Sequence, residues 1–249
     1  MSDHTPHNTP REGGAMTQDY TLKIELFGPW RSGTGRGRGA HVDAEALRDS
    51  LGLPMLPGKQ LKGLIRHALE TGAALGGGWG FALADQLCGF GDASSLDARG
   101  REGVTREDDG QRNVSRFETT QGALAISSAR LAPDLRAYFA ALLSHEGTKT
   151  RAHREASALF YAQRQTKIDE RGLVEPGTLR TIEVCVPLTL YAHVQGALSA
   201  EQRRDLEQSL KLIRAVGSNT TRGLGRAQLT LCDGAPDAVA ARDAAQEGR

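Results

Sequence analysis

The chain has 249 residues, in which 31 Lys and Arg face 30 Asp and Glu for a net charge of +1. This length can bury a sizeable core, and the even charge excludes a globally basic nucleic-acid binder, so any anionic partner must be met by a local cluster. The cysteines lie far apart without metal-ligand spacing, and no apolar run approaches the roughly 18 residues of a membrane span. We therefore expect a reduced, cytoplasmic protein with no membrane partner.

The first half of the chain predicts one strand and one helix between loops. Residues 1–17 are polar without periodicity, which predicts a disordered leader. "YTLKIELF" alternates apolar and polar residues from Tyr20, as a half-buried strand does. A glycine-rich loop follows, and the apolar residues between Leu61 and Leu69 then recur with helical spacing after Pro57 and Gly58. Residues 76–118 are glycine-rich and then strongly charged, which indicates an insertion.

The second half predicts three strands and two helices. "GALAISSARL" indicates a strand, "PDLRAYFAALLSHE" a short helix, and the polar residues 145–178 a second insertion. "TIEVCVPLTLYAHV" indicates a third strand, which Pro187 restricts to an edge or bulged position. Ser199 and Gln202 form a capping-box pattern before a helix that Gly217 should end. "AQLTL" is the last predicted strand, and residues 233–249 are expected to form a disordered tail.

Without the insertions, the predicted order is strand, helix, strand, strand, helix, strand. This order is typical of the split βαβ, ferredoxin-like arrangement, which also underlies RNA-recognition (RRM-like) modules. We therefore predict an α+β fold with one domain over residues 18–232, interrupted at about 76–118 and 145–178.

Two glycine motifs suggest nucleotide binding, but neither fits well. The "PGK" at Pro57 fails as a P-loop, because five residues separate Gly52 from Gly58 and Gln60 follows Lys59 in place of a metal-binding hydroxyl. "GRGRGA" from Gly35 matches only a loose dinucleotide fingerprint, and no acidic residue follows at the required distance of about 20 positions.

Cation clusters favour a phosphate-backbone partner instead. Seven cations lie between positions 31 and 66 against three acids: Arg31, Arg36, Arg38, Arg48, Lys59, Lys62 and Arg66. A second loop holds Arg214, Arg222 and Arg226 among Gly217, Gly223 and Gly225, without an acid. Glycine loops with cations let backbone amides and guanidinium groups approach a polyanion closely. For Lys59, Lys62 and Arg66 alone, a solvated helix face is the simpler alternative.

Asp43 and His41 are the candidate chemical groups, and both are ambiguous. Asp43 could cap a helix over "AEALRDSL", and His41 is either a proton carrier or a surface histidine.

The segments "RDSLGLPMLPGKQLKGLIRHAL" and "SNTTRGLGRAQL" resemble those of the RAMP superfamily of CRISPR-associated proteins. The likeness runs from Tyr20 to Leu231 and includes "CGFGDA", "GALAISSARL" and the order of elements. Within the superfamily, the chain is similar to the repeated backbone subunit of type III effector complexes. The Leu-Lys-Gly and Arg-Gly-Leu-Gly-Arg motifs are more specific for the superfamily than for the subunit.

The resemblance implies that copies of a ferredoxin-like core stack head to tail along a guide CRISPR RNA, together with other effector subunits. A thumb hairpin, placed here at about Gln163 to Gly177, would intrude between the guide and a complementary target RNA. The implied RNA-binding residues are Arg36, Arg38, Lys59, Gln60, Lys62, Arg66, Lys167, Arg222, Gly223, Gly225 and Arg226.

The resemblance also places the family's catalytic aspartate at Asp43, with Glu45 where the family often has proline. It implies that Asp43 cleaves target RNA with Mg²⁺ or another divalent metal, which RNA phosphates would help to hold. Two alternatives remain open. One is a scaffold that binds guide RNA without cutting, and the other is a guide-processing nuclease with His41 as general base.

Overall fold

The computed structural model describes residues 17–37, 42–91 and 119–247. Its elements in chain order are β1 (Gln18–Leu26), α1 (Gly58–Ala74), α2 (Ala82–Cys88), β2 (Phe90–Gly91), β3 (Thr119–Thr120), β4 (Ala125–Ile126), α3 (Pro133–Ser144), α4 (Glu146–Ser157), β5 (Phe160–Gln165), β6 (Arg180–Cys185), β7 (Thr189–Gly196), α5 (Ala200–Leu210), a 3₁₀ turn (Thr220–Arg222), β8 (Ala227–Asp233) and α6 (Pro236–Glu247). The predicted leader and the charged part of the first insertion, residues 92–118, lie outside the described residues, apart from Thr17.

The central sheet confirms the ferredoxin-like prediction. Four antiparallel strands lie in the order β4-β7-β1-β8, and helices α1 and α5 contact each other over the same core. The alternation in β1 puts Tyr20, Leu22 and Ile24 into that core, where they are almost fully buried. Because β7 lies between β1 and β4, the first βαβ unit is split, as the predicted order requires.

The predicted third strand is in fact two strands in different sheets. β6 pairs with β5 in a separate hairpin, whereas β7 joins the central sheet. Pro187 lies between them and has no N–H to continue a ladder, so the chain changes partner there. The expectation of one strand in an edge or bulged position is therefore wrong: β7 lies inside the central sheet with a strand on each side, and β6 belongs to the two-stranded hairpin.

Helix α5 begins at the predicted capping box but ends earlier than predicted. Ser199 Oγ accepts from Gln202 N at 3.1 Å, and Gln202 Oε1 accepts from Ser199 N at 3.0 Å. The helix ends at Leu210 rather than at Gly217. Ile213 and Val216 are still buried, but they lie on an extended segment that pairs with the start of β8. A stripe of buried residues can therefore continue after the helix has ended.

The chain after Asp233 is a packed helix rather than a disordered tail. Pro236 begins α6, which buries Val239 and Ala240. Its Asp243 carboxylate lies 3.1 Å from Lys23 Nζ and accepts a 2.9 Å hydrogen bond from Tyr191 Oη. Helix α6 thus covers the sheet face opposite α1 and α5.

Both predicted insertions contain helices. In the first, α2 buries Leu83, Ala84 and Leu87 in the core. In the second, α4 packs against α3, although its sequence "EGTKTRAHREAS" has only two buried alanines. Small buried residues give almost no apolar periodicity, which explains why the pattern missed this helix. No helix in residues 17–37, 42–91 or 119–247 is long and apolar enough to cross a bilayer.

Candidate nucleic-acid interface

The two glycine loops and the start of α1 meet at one end of the central sheet. The first glycine loop (residues 28–37) and the second glycine loop (residues 217–225) are joined by main-chain hydrogen bonds. Gly225 N donates to Pro29 O at 2.8 Å, and Ser218 N donates to Arg31 O at 2.7 Å. Ser32 Oγ donates to Gln60 Oε1 on α1 at 3.3 Å. This arrangement, the loop junction, brings together cation clusters that are far apart in sequence.

The glycines of the second loop have different roles. Gly225 has a φ of 76°, and a Cβ there would lie 1.9 Å from Val216 O. Gly217 has a φ of 88°, and its Cβ would lie 2.2 Å from Arg31 O. Both positions therefore need glycine for packing within the loop junction. Gly223 also has a positive φ, of 84°, but a Cβ there would meet nothing within 4 Å. Of the two predicted RNA-binding glycines, only Gly223 faces open space.

Four of the predicted RNA-binding cations are exposed at or near the loop junction. Arg36 lies on the first glycine loop, Lys59 in the first turn of α1, and Arg222 and Arg226 on or beside the second glycine loop. No ion pair joins any of these four to an acid in the described part of the chain. Arg38 and His41 lie outside the described residues.

The other two cations on α1 are used inside the protein. Arg66 donates to Asp85 Oδ1 at 2.7 Å and to the Gly89 carbonyl. Lys62 Nζ donates to Leu124 O at 3.0 Å. Both side chains are partly buried and join α1 to α2 and to the segment before β4. The alternative of a solvated helix face therefore fits neither Lys62 nor Arg66. Of the three cations on α1, only Lys59 is exposed.

Two further arginines of the predicted cluster are structural. Arg31 is only 5% exposed, and its Nη2 donates to Glu45 O at 3.0 Å. Burial lowers the pKa of its guanidinium. Arg48 Nη2 lies 2.7 Å from Glu183 Oε1, and its guanidinium stacks 3.4 Å from the centroid of the Phe160 ring. The sequence placed both in the cation cluster that favours a phosphate partner, because burial leaves no signal in a run of charged loop residues.

Asp43 lies against β6, near the end of the β5–β6 ladder that is closest to the turn, and is exposed. Its Oδ2 accepts from Thr181 N at 2.7 Å, and its own N–H donates to Thr181 O at 2.8 Å. Residues 44–51 form no helix, so the cap alternative is wrong. Glu45 N donates to Arg36 O at 2.9 Å, a bond that a proline could not make. This bond closes the aspartate-bearing segment against the first glycine loop.

The described residues do not build a metal site by themselves. They include no group of three His, Cys, Asp or Glu side chains that could hold an ion. Asp43 supplies one exposed carboxylate, with one oxygen engaged by Thr181, so phosphates of a bound RNA would have to provide further ligands.

Nucleophilic chemistry by the cysteines is disfavoured, because burial raises the pKa of Cys185 to about 12 and that of Cys88 to about 11.

The β5–β6 hairpin ends in an apolar tip. Six residue pairs form its ladder, and an isolated bridge joins Ile168 to Val174 further out. Ile168, Leu173 and Val174 are 62, 64 and 59% exposed. Lys167 Nζ lies 2.6 Å from Glu175 Oε2, so this predicted RNA contact already has an anionic partner. An exposed apolar tip on a two-stranded arm indicates that something outside the domain covers it.

The family follows from comparison with known proteins. The sequence model of the RAMP superfamily matches residues 23–228. The chain belongs to the RAMP superfamily. A chain of the type III-B Cmr-beta complex bound to cognate target RNA, solved by cryo-EM, is similar to this RAMP protein with a TM-score of 0.56 and 13% identity, over 86% of this chain and 96% of that chain. A chain of the apo Cmr-beta complex gives a TM-score of 0.52 and 14% identity, over 86% and 97%. No curated protein sequence matches this RAMP chain significantly.

The loop junction predicts different effects for two glycine substitutions. Gly225→Ala should lower the free energy of unfolding by about 3 kcal/mol or more, because a positive φ and a backbone clash both oppose it. Gly223 also has a positive φ, but a Cβ there meets no backbone atom. We therefore expect Gly223→Ala to lower the free energy of unfolding by only about 1 kcal/mol. Urea unfolding of the two variants measures the difference. Equal losses would contradict close packing at the loop junction.

Proposed function

We propose that this RAMP protein is the guide-binding backbone subunit of a type III CRISPR ribonucleoprotein, and that it cleaves bound target RNA at regular intervals. The observation that carries the proposal is that the loop junction presents exposed cations near a hairpin whose strand β6 holds an exposed aspartate. The family membership and the likeness to chains of the Cmr-beta complex support it.

The loop junction suits a nucleic-acid backbone better than a mononucleotide. Lys59, Arg222 and Arg226 supply charge, and Gly223 offers a surface without a side chain. The start of α1 adds the positive end of its helix dipole, since the first turn has no acid. Two of its first amides are already bonded, Gly58 N to Ser128 Oγ and Gln60 N to Pro57 O. Such groups contact phosphates without reading bases, which is what a guide of variable sequence requires.

The hairpin tip suits the thumb role that the resemblance implies. Apolar side chains inserted between base steps can unstack and splay them. In the proposal, copies stack along the guide, and Ile168 and Val174 at the tip interrupt the guide–target duplex once per copy. The spacing of copies then sets the spacing of the cuts.

Asp43 would act where an interrupted target nucleotide passes alongside strand β6 of the hairpin. Its carboxylate can accept the proton of a 2′-hydroxyl, whose oxygen attacks the adjacent phosphorus as the 5′-oxygen leaves. The products would carry a 2′,3′-cyclic phosphate and a 5′-hydroxyl. Asp43, together with RNA phosphates, would hold a divalent ion such as Mg²⁺, and that ion would supply positive charge at the reacting phosphate. The exposed cations near Asp43 would oppose the same charge.

Removal of one exposed cation should weaken RNA binding in a salt-dependent way. For Lys59→Gln or Arg222→Gln, we expect the slope of log affinity against log salt to become shallower by about 0.7, the value for one phosphate contact on a single strand. Fluorescence anisotropy of the full chain with labelled guide RNA measures this slope. Arg66→Gln is the matched control, because Arg66 binds Asp85; its slope should not change while its stability falls. An equal slope change in Arg66→Gln would contradict the assignment.

Asp43→Asn should abolish the cleavage of target RNA while assembly remains intact. Loss of a general base costs about 10²–10⁴-fold in rate. The complex would be purified with guide RNA and given end-labelled target with Mg²⁺ or with EDTA. Evenly spaced cuts that vanish in Asp43→Asn and in EDTA support the proposal, and His41→Ala should still cut.

Other outcomes of the same experiment identify the alternatives. Bound guide and target without cuts in either protein would mean a scaffold. Guide processing that is lost in His41→Ala but retained in Asp43→Asn would mean a processing nuclease.

Thr181 should position Asp43 through its backbone alone. Thr181→Pro removes the N–H that donates a hydrogen bond to Asp43. The ladder between β6 and β5 is spared, because the N–H and the C=O of Thr181 both bond to Asp43 and not to β5. We expect about tenfold slower cleavage and a lower melting temperature with unchanged RNA affinity, because the lost N–H was hydrogen-bonded. Thr181→Ala keeps the N–H and should cut normally. In an Asp43→Asn background the proline should have no further effect. Slowing by Thr181→Ala as well would assign the effect to the side chain.

A further inference from the structure

Strand β8 has an open edge beside a groove. In the described part of the chain, β8 pairs with β1 on one side, and on the other side only Ala227 at its start is bonded, to Arg214 O. A groove of about 850 Å³ runs between this strand and the last turn of α5, and the segment 211–214 closes one end. Helix α6 meets only the end of β8, where Arg242 Nη2 donates to Asp233 O at 2.7 Å and Cys232 packs against Val239 and Ala240.

The hydrogen-bond pattern shows which backbone groups of β8 face the groove. Arg226 O and Gly234 N bond toward β1, whereas Ala227 N bonds away from it to Arg214 O. In an antiparallel ladder this direction alternates, so the N–H and C=O of Leu229 and Leu231 also point away from β1. Neither residue's outward groups have a hydrogen-bond partner in the described part of the chain.

Before Asp233, the described edge has none of the usual devices against strand pairing. Natural proteins protect edges with charged side chains, proline, bulges or very short strands. The opposite edge, β4, has only two residues. β8 has seven, and its stretch "AQLTLC" contains no charge and no proline. The uncharged edge from Ala227 to Cys232 is a template for an added strand, whereas the charge of Asp233 at its end is paired with Arg203.

The groove is also cationic with an apolar rim. Lys211, Arg214 and Arg226 line it, and its one acid, Glu207, already binds Arg203 at 2.9 Å. Phe27 in the groove and Leu212 next to it are 58 and 41% exposed. A peptide with acidic and apolar side chains complements this surface.

We propose that the β8 edge binds an extended acidic segment of a partner protein by strand addition. Leu229 and Leu231 would exchange main-chain hydrogen bonds with that segment, and Lys211 and Arg214 would pair with its carboxylates. A peptide fits better than RNA, because outward carbonyls alternate with the amides along the edge and would repel phosphates. This site is separate from Asp43 and does not depend on RNA cleavage.

The test uses the full chain and a terminally blocked octapeptide of alternating valine and glutamate. We expect a dissociation constant below about 1 mM by fluorescence anisotropy. Hydrogen exchange followed by NMR should show at least tenfold protection of the Leu229 and Leu231 amides at saturation. Peptide whose valines are N-methylated is the matched control, because it keeps charge and bulk but cannot pair as a strand.

A charge reversal makes the test specific. Lys211→Glu combined with Arg214→Glu should weaken binding of the Val-Glu peptide at least tenfold, and the variant should bind a Val-Lys peptide instead. Both positions are exposed, so the fold should persist, which the unchanged NMR spectrum of the core would verify.

Three results would overturn the proposal. Equal binding of the N-methylated peptide would exclude strand addition. Protection of Leu229 and Leu231 by a single-stranded RNA but not by the peptide would assign the edge to RNA. Protection that rises with protein concentration alone would assign it to a second copy of this chain.

Discussion

The site depends on the main chain from Pro29 to Ser32, which hydrogen-bonds to three distant parts of the protein. Trp30 N and O pair with Cys185 at the base of the hairpin, at 3.2 and 2.7 Å. Arg31 O accepts from Ser218 on the second glycine loop, and Ser32 O accepts from Leu47 N on the segment that carries Asp43. Trp30 is fully buried and donates its indole N–H to Val186 O, which fixes the segment in the core. A shift here would therefore move the cations, the aspartate and the hairpin together.

One largely desolvated charge pair makes the hairpin base rigid. Glu183 on β6 is 7% exposed; it accepts from Ala46 N and pairs with Arg48, which in turn covers Phe160 on β5. A pair of this kind adds little net stability, but loss of one partner leaves an unsatisfied charge and is costly. We infer that its role is geometric. It holds the aspartate-bearing segment in one register against β6, so that Asp43 meets the main chain of Thr181.

The sequence predicted the elements whose signal is local and left out those that depend on distant contacts. β1, α1 and β8 have clear periodicity, and the Ser199 capping box identified the start of α5. The strand break at Pro187 was misjudged because a proline can end a strand or mark an edge, and only the sheet order decides between these. The roles of Arg31, Lys62 and Arg66 could not be predicted, because their partners come from other loops. The bond from Thr181 to Asp43 joins residues far apart in sequence and has no counterpart in any local pattern.

Helix α6 covers the face of the central sheet opposite α1 and α5, and this limits where RNA can bind. An RNA-recognition module of similar topology uses the open face of its sheet, with aromatic side chains that stack on bases. Here α6 occupies that face, and Tyr191 on β7 donates to Asp243 within the protein. With a net charge of +1, a distributed electrostatic surface is not available either. RNA contacts in the proposed function must therefore come from the end of the sheet, where main-chain amides and a few exposed cations are concentrated. Such an interface reads backbone shape rather than sequence, so specificity has to come from base pairing with the guide.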